Sequence, residues 1–230
     1  MHFDIQLLLT GDYRDWLLHG LAMSLALAGG TLLLALPLAT LLALARLAPI
    51  AALRWAAFTL VEAVRNVPLL AHMLFWYFGA PELLPEPIKR WLYAGNIEAI
   101  SALVALTLYT AAYMSEDIRS GIRAIPRGQL DAARALGFGF IAAMRYLIVP
   151  QALRLTVPPL LSQTLNLWKN TSIATVIGVA ELMYQAAKVE SASFRSAEAF
   201  AFATLSYLSI SLLLGALAAR YMQRFPARPA

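Results

Sequence analysis

Charged side chains inside otherwise apolar stretches are the first candidates for function in this sequence. Glu62 and Arg65 lie three positions apart, and Lys169 lies near the middle of the apolar segment 155–180. A charge at the centre of a bilayer is costly, so it needs a partner or a wet cavity. Residues three apart share a helix face, so Glu62 and Arg65 can pair. The pair either holds neighbouring helices together, or it has a role in a solute pathway, which it lines or gates.

Lys169 is followed by three polar residues that could hydrogen-bond a zwitterionic solute: Asn170, Thr171 and Ser172. At a helical rise of about 1.5 Å per residue the lysine is roughly 20 Å from either end of its segment, beyond the reach of its side chain. We expect it to face a partner or a water-filled cavity, as a packing residue or a solute contact. His72 and Gln163 are further candidates for the path, although polar residues between membrane helices often serve only to join them.

The elements that must position these residues are long apolar runs. Of the 230 residues, 60% are hydrophobic and 13% are charged, whereas a soluble domain carries about 25% charged residues. About 20 apolar residues suffice to cross a bilayer. The predicted spans are residues 16–45, 55–78, 99–115, 155–180 and 199–219. We therefore predict an all-α membrane protein with five spans, forming a single domain over residues 1–230 in contact with the lipid bilayer.

Composition also argues against several other classes of protein. The chain has no cysteine, and its histidines, His2, His19 and His72, are scattered, so no disulfide framework or metal site is expected. The net charge of +5 does not indicate a nucleic-acid partner, because in a membrane protein the distribution of charge matters more. Asp4, Asp12 and Asp15 replace the basic start of a cleavable signal peptide.

Arginine and lysine counts predict the orientation. If residues 116–154 are cytoplasmic, the inner segments hold eleven of these residues and the outer segments five. The positive-inside rule then places the N-terminus outside and the C-terminus in the cytoplasm.

Residues 116–154 form a polar, arginine-rich segment between the third and fourth spans. Residues 129–136 are good helix formers, and Gly137 stands where a helix end favours a positive φ. A second helical stretch, 140–149, is expected to stop at Pro150. We expect either a docking site for a soluble partner or an amphipathic hairpin that lies on the membrane.

The first helix of this segment carries features of a contact surface. Ala132 and Ala133 keep one face small, so that another surface can approach closely, while Leu130 and Leu136 supply apolar anchors. Asp131 and Arg134 are spaced to pair on the helix surface.

Asp131-Ala132-Ala133, Gly137 and Leu147-x-Val149-Pro150 resemble the EAA loop of binding-protein-dependent ABC importer permeases. Other segments resemble the polar amino acid permeases within that group: 62–70, 112–116, 119–122, Gly128-Gln129, 150–154, 170–172 and 177–182. The sequence departs from the family pattern at four positions, with Asp131 for Glu, Val149 for Leu, Val67 for Thr and Asn170 for Asp.

The resemblance implies the type I ABC importer transmembrane fold, with the loop as a coupling element seated on a dimer of cytoplasmic ABC ATPase subunits. It implies coupling roles for Gly128, Gln129, Asp131, Ala132, Ala133, Gly137 and Pro150. ATP and Mg would bind to that partner, and no cofactor or catalytic activity is expected on this chain. The sequence contains no Gly-x-x-x-x-Gly-Lys-Ser/Thr phosphate-binding loop.

The resemblance further implies a periplasmic or extracellular solute-binding protein, a second permease chain that is identical or a paralogue, and a place in the bacterial inner membrane. Lys169 and the likeness of residues 113–129 to glutamate/aspartate permeases favour an acidic amino acid as the substrate, with basic or neutral polar amino acids as the alternative.

Two other classes of protein fit the sequence less well. A secondary transporter would place coupling acids at mid-membrane, and spans 3 to 5 carry none. An intramembrane enzyme would need a nucleophile or a metal cluster, and the sequence suggests neither.

Overall fold

The structure is a computed structural model that describes residues 11–225, apart from the side chain of Arg127. His2, Asp4 and Arg228, the last of which belongs to the eleven basic residues counted for the inner side, lie outside the described residues. The described part of the chain is helical and contains no β-strand, which confirms the predicted all-α class.

Ten α-helices follow one another in the described residues, and short π or 3₁₀ turns extend three of them. They are α1 (Gly11–Leu47), α2 (Ala51–Arg65), α3 (Leu69–Leu74), α4 (Glu86–Ala94), α5 (Ile97–Arg123), α6 (Arg127–Ala135), α7 (Phe140–Ala143), α8 (Val149–Asn170), α9 (Leu182–Ser193) and α10 (Ser196–Arg224). The extensions are Phe75–Gly79 and Ala80–Leu83 after α3, Met144–Ile148 after α7 and Thr171–Ile177 after α8.

Four helical segments of the described chain are long and apolar enough to cross a membrane: α1, α5, Phe140–Ile177 and α10. The helix α2 and the segment Leu69–Leu83 meet this criterion only as a pair, and they meet at a bend of 102°, so the count is four crossings, or five if the bent pair is one. The predicted span 55–78 is therefore not one straight helix. Pro68 forces the residue before it out of the α region, and the Asn66 side chain donates a hydrogen bond to the Glu62 carbonyl, 2.8 Å away.

The prediction that the second loop helix stops at Pro150 is wrong. The chain continues from α7 through the π turn Met144–Ile148 into α8 without leaving the helical region. Pro150 falls in the first turn of α8, where a missing N–H costs least. The π turn immediately before it already shifts the hydrogen-bond pattern of the backbone.

The core of the bundle is built on α1 and α5, which meet through small side chains such as Ala35, Ala39 and Ala111. Two glycines allow still closer approaches. A Cβ atom on Gly121 of α5 would lie 2.2 Å from the Thr156 side chain of α8, and one on Gly20 of α1 would lie 2.9 Å from the Leu182 Cα of α9. Small residues at helix crossings are the usual means of packing helices in membranes.

Candidate functional site

Helix α6 ends in a hydrogen-bonded glycine cap. Gly137 has φ +84°, its N–H donates to the Arg134 carbonyl at 2.9 Å, and the N–H of Phe138 donates to the Ala133 carbonyl at 3.0 Å. This pair of bonds is the Schellman arrangement that ends many helices. It confirms the predicted positive φ of Gly137, and a Cβ atom there would touch nothing within 4 Å. Glycine is therefore favoured at this position by its backbone conformation and not by a lack of space.

The loop, which consists of α6, α7, the turn between them and the π turn Met144–Ile148, exposes large apolar side chains. Ile141 is 80% exposed, Leu136 79% and Tyr146 68%, and Phe138 and Phe140 are also exposed. Apolar exposure at a polar end of a membrane protein marks a contact surface. The sequence analysis named Leu136 as an apolar anchor but did not consider the other side chains. For residues 140–149 it predicted only where the helix begins and ends.

The two alanines of α6 occupy different environments. Ala132 is exposed, whereas Ala133 is 5% exposed, and both line an apolar groove of about 590 Å³ with Gln129, Leu136, Phe138, Tyr146, Leu147 and Gln151. Ala133 thus packs within the loop, and a tryptophan there would first overfill the loop itself. Of the other expected coupling residues, Gly128, Asp131 and Pro150 are exposed. Asp131 and Arg134 form no ion pair with each other in the described structure.

A polar cavity of about 480 Å³ lies between α5 and α8. Its lining consists of Tyr109, Tyr113, Gln163, Asn166, Lys169 and Asn170. Lys169 is exposed, and in residues 11–225 the ion pairs all involve other side chains. Lys169 thus opens onto this cavity and is not held in an ion pair within these residues. A polar, concave surface between membrane helices can bind water or a small polar solute.

The remaining pathway candidates do not all reach this cavity. Thr171 is fully buried and its hydroxyl donates to the Trp168 carbonyl at 2.8 Å, while the Ser172 hydroxyl donates to the Lys169 carbonyl at 2.8 Å. Both hydroxyls thus cap the end of α8. His72 lies behind the cavity, where Nε2 is 3.0 Å from the Val64 carbonyl oxygen and the ring packs edge-on against Tyr109.

Glu62 and Arg65 form the predicted pair, with Arg65 Nη1 3.4 Å from Glu62 Oε1. The pair belongs to a larger ion-pair cluster that sequence spacing alone did not show. Arg46 of α1 contacts both Glu62, at 3.8 Å, and Glu116 of α5. Arg119 Nη2 lies 2.7 Å from Glu116 Oε2. Three guanidinium groups and two carboxylates therefore join α1, α2 and α5 at the end of the bundle that carries the loop.

Tyr113 connects this cluster to the polar cavity. Its hydroxyl donates to the Arg65 carbonyl at 3.2 Å, and the Arg65 guanidinium carbon lies 5.2 Å from the centroid of the Tyr113 ring. The ion-pair cluster therefore lies directly beside the cavity wall that Tyr113 forms.

Glu181, one residue beyond the predicted fourth span, is a buried acid that sequence reasoning used only as part of a motif. It is 0% exposed and accepts hydrogen bonds from Tyr207 Oη at 2.8 Å, Ser24 Oγ at 3.2 Å and the N–H groups of Met183 and Tyr184. Its position before α9 is that of an N-cap. With its donors supplied from α1, α9 and α10, its visible role is to hold these helices together.

The chain matches known proteins over most of its length. A family described as "Binding-protein-dependent transport system inner membrane component" matches residues 35–225. The glutamate/aspartate import permease protein GltJ of Escherichia coli strain K12 is 36% identical over 206 residues, which cover 88% of this chain and 84% of that protein. The probable glutamine ABC transporter permease protein GlnM of Bacillus subtilis strain 168 is 36% identical over 202 residues, 88% of each chain.

A solved structure described as an amino acid ABC transporter with histidines has the same fold. It superposes with a TM-score of 0.84 at 28% identity, covering 97% of this chain and 100% of that one.

Proposed function

Because the chain belongs to the family of binding-protein-dependent transport system inner membrane components, we propose that it is the permease subunit of an ATP-driven importer of polar amino acids. The observation that carries this proposal is the polar cavity between α5 and α8. It offers one ammonium group, two phenol hydroxyls and three amide side chains, which together can hydrogen-bond the charged ends of an amino acid.

Within this class we propose an acidic substrate such as glutamate or aspartate. The lining carries one cation, Lys169, and no carboxylate, so a solute with a net negative charge is favoured over a basic one. The similarity to the glutamate/aspartate permease points the same way. A neutral substrate such as glutamine is the second candidate, since the glutamine permease is equally similar and amides dominate the lining.

The proposed energy source is a separate ATPase dimer that binds the loop of α6 and α7. Support comes from the apolar side chains exposed there, Leu136, Ile141 and Tyr146. This segment lies outside the predicted spans, so lipid does not account for their exposure. The EAA-like residues Asp131, Ala132 and Gly137 lie in the same loop. A solute-binding protein at the opposite end and a second permease chain, identical or a paralogue, would complete the assembly.

The proposed orientation has the N-terminus outside and the C-terminus and loop in the cytoplasm of a bacterial cell. Since the chain has no cysteine, a single cysteine introduced by mutation is the one site on this chain that a maleimide can label. A cysteine at Ser120 or Gln129 should react with a membrane-impermeant maleimide only from the cytoplasmic side, and one at Glu86 only from outside. Labelling from the opposite sides would overturn this orientation.

The function is tested by reconstituting the permease with its ATPase and binding protein in proteoliposomes. Glutamate or aspartate should stimulate ATP hydrolysis and be taken up only when ATP is present. Stimulation by glutamine alone would favour the second candidate, and stimulation by arginine would refute the argument from Lys169. Uptake that needs an ion gradient and no ATPase would refute the importer proposal and indicate a secondary transporter.

A further inference from the structure

Helix α4 has an apolar face that the rest of the described chain leaves uncovered. Ile88, Trp91 and Leu92 are spaced to share one face of this nine-residue helix. Trp91 is 68% and Ile88 48% exposed, and no residue of α4 is buried. A helix this short is marginal in water by itself and needs to bury an apolar face to persist.

The opposite face of α4 is polar, and contacts within the chain fix its direction. Glu82 accepts hydrogen bonds from Lys89 Nζ at 2.5 Å and from Tyr93 Oη at 3.2 Å. The hydrogen bond to Glu82 raises the pKa of Lys89 above its ordinary value, so the ammonium group stays charged. These bonds hold the polar face against the turn that precedes α4, and they leave Ile88 and Trp91 pointing away from it.

Helix α4 connects two apolar helical segments. It follows the bent pair of α2 and Leu69–Leu83, and only Gly95 and Asn96 separate it from the start of α5. The apolar surface continues into the segment before α4, since Phe75, Phe78 and Leu83 are exposed as well. Leu92 lines an apolar cavity with Trp76, Leu84 and Ile100 on the inner side.

We propose that α4 lies in the plane of the bilayer interface, on the side opposite to the loop, as an amphipathic anchor for the ends of α3 and α5. Tryptophan on the apolar face and Lys89 and Arg90 on the polar face are the composition of helices that rest at the boundary between headgroups and acyl chains. The exposed side chains Phe75 and Phe78 continue the same apolar surface, and we assign lipid as the common cover of these side chains and of Ile88 and Trp91.

Spin labels on single cysteines test this placement in the assembled, reconstituted complex. We place them at Ile88 and Trp91 on the apolar face and, as matched controls, at Glu86 and Arg90 on the polar face. In vesicles of phosphatidylethanolamine and phosphatidylglycerol, the ratio of accessibility to oxygen over a water-soluble nickel chelate should be several-fold higher at positions 88 and 91 than at 86 and 90.

Equally low ratios at the four positions would mean that α4 stands in water, and equally high ratios would mean that all its faces lie in lipid. Either result would overturn the proposal. Labels at 88 and 91 that neither reagent reaches would also overturn it, because a protein would then cover the face. A measurement without a label keeps the native helix. The part of the tryptophan fluorescence that is lost in Trp91→Phe should be quenched by brominated lipids and not by iodide in the aqueous phase, and the reverse result would refute interfacial burial.

Discussion

The loop of α6 and α7 and the polar cavity between α5 and α8 expose opposite kinds of side chain. The loop lies outside the predicted spans, yet Leu136, Ile141 and Tyr146 are exposed there. The cavity lies between two membrane-spanning helices, yet it is lined by Lys169 and Asn166, which are both exposed. Each surface is therefore mismatched to its surroundings, and each fits a partner of its own chemistry: a protein for the loop, water or a polar solute for the cavity.

Glu181 shows how a charge is accommodated where no such partner is involved. It lies twelve residues after Lys169 in the sequence, and four hydrogen bonds from within the chain enclose it. Glu181 thus joins helices through hydrogen bonds, whereas the Lys169 side chain is exposed to the cavity. Structure alone makes this distinction, because both residues stand in apolar sequence.

The largest effect is expected at the end of α6, where Gly137→Val should abolish the stimulation of ATP hydrolysis by substrate. Valine at φ +84° adds strain of about 1–2 kcal/mol, which distorts the cap and displaces the exposed side chains that follow it. Insertion and assembly should stay normal. The measurement is ATPase activity of the reconstituted complex with and without substrate.

The matched control is Gly139→Val. Gly139 has φ −65° and ψ 159°, which valine adopts without strain, and a Cβ atom there also meets nothing within 4 Å. Stimulation should survive in this variant. If Gly137→Val hydrolyses ATP in response to substrate as well as Gly139→Val does, the loop is not the coupling element.

The next effect concerns the cavity, where Lys169→Met should reduce glutamate uptake about tenfold or more, equivalent to at least about 1.4 kcal/mol. Lys169 is exposed and forms no ion pair in the described residues, so its removal leaves no orphaned partner. The yield of complex and its thermal midpoint should be unchanged. Uptake at the wild-type rate by an assembled Lys169→Met complex would remove the residue-level argument for an acidic substrate.

Glu181→Leu sharpens this test because it should have the opposite signature. Each buried donor left without an acceptor costs about 1–3 kcal/mol, and Tyr207, Ser24 and two backbone N–H groups lose theirs. We expect a lower thermal midpoint and a lower yield of folded permease in detergent. A stable Glu181→Leu protein would show that this network is not what holds α1, α9 and α10 together.

The last effect concerns the apolar surface of the loop. Burying an isoleucine side chain contributes about 1.5–3 kcal/mol, so Ile141→Ser should weaken binding of the ATPase subunit by roughly one to two orders of magnitude. Leu83→Ser is the control, because Leu83 is equally exposed at the opposite end of the molecule. Binding measured between the ATPase and the permease in nanodiscs should respond only to the first. Equal affinity for both variants would exclude Ile141 from the interface.

Local sequence determined the features that depend on a single segment. Long apolar runs predicted the helical membrane fold, since a backbone in lipid has to satisfy its own hydrogen bonds. Gly137 predicted a positive φ, because few other residues accept it. The spacing of Glu62 and Arg65 predicted their contact, since residues three apart on a helix are neighbours.

Only the tertiary structure decided which way the side chains face and what meets across helices. Ala132 and Ala133 are identical in type, yet one is exposed and the other packs against the second part of the loop. Thr171 is as polar as Asn170, yet it faces the core and not the cavity. Arg46 and Glu116 stand 70 positions apart, and no local pattern links them. Burial and long-range pairing depend on how several helices pack at once, and that information is spread over the whole chain.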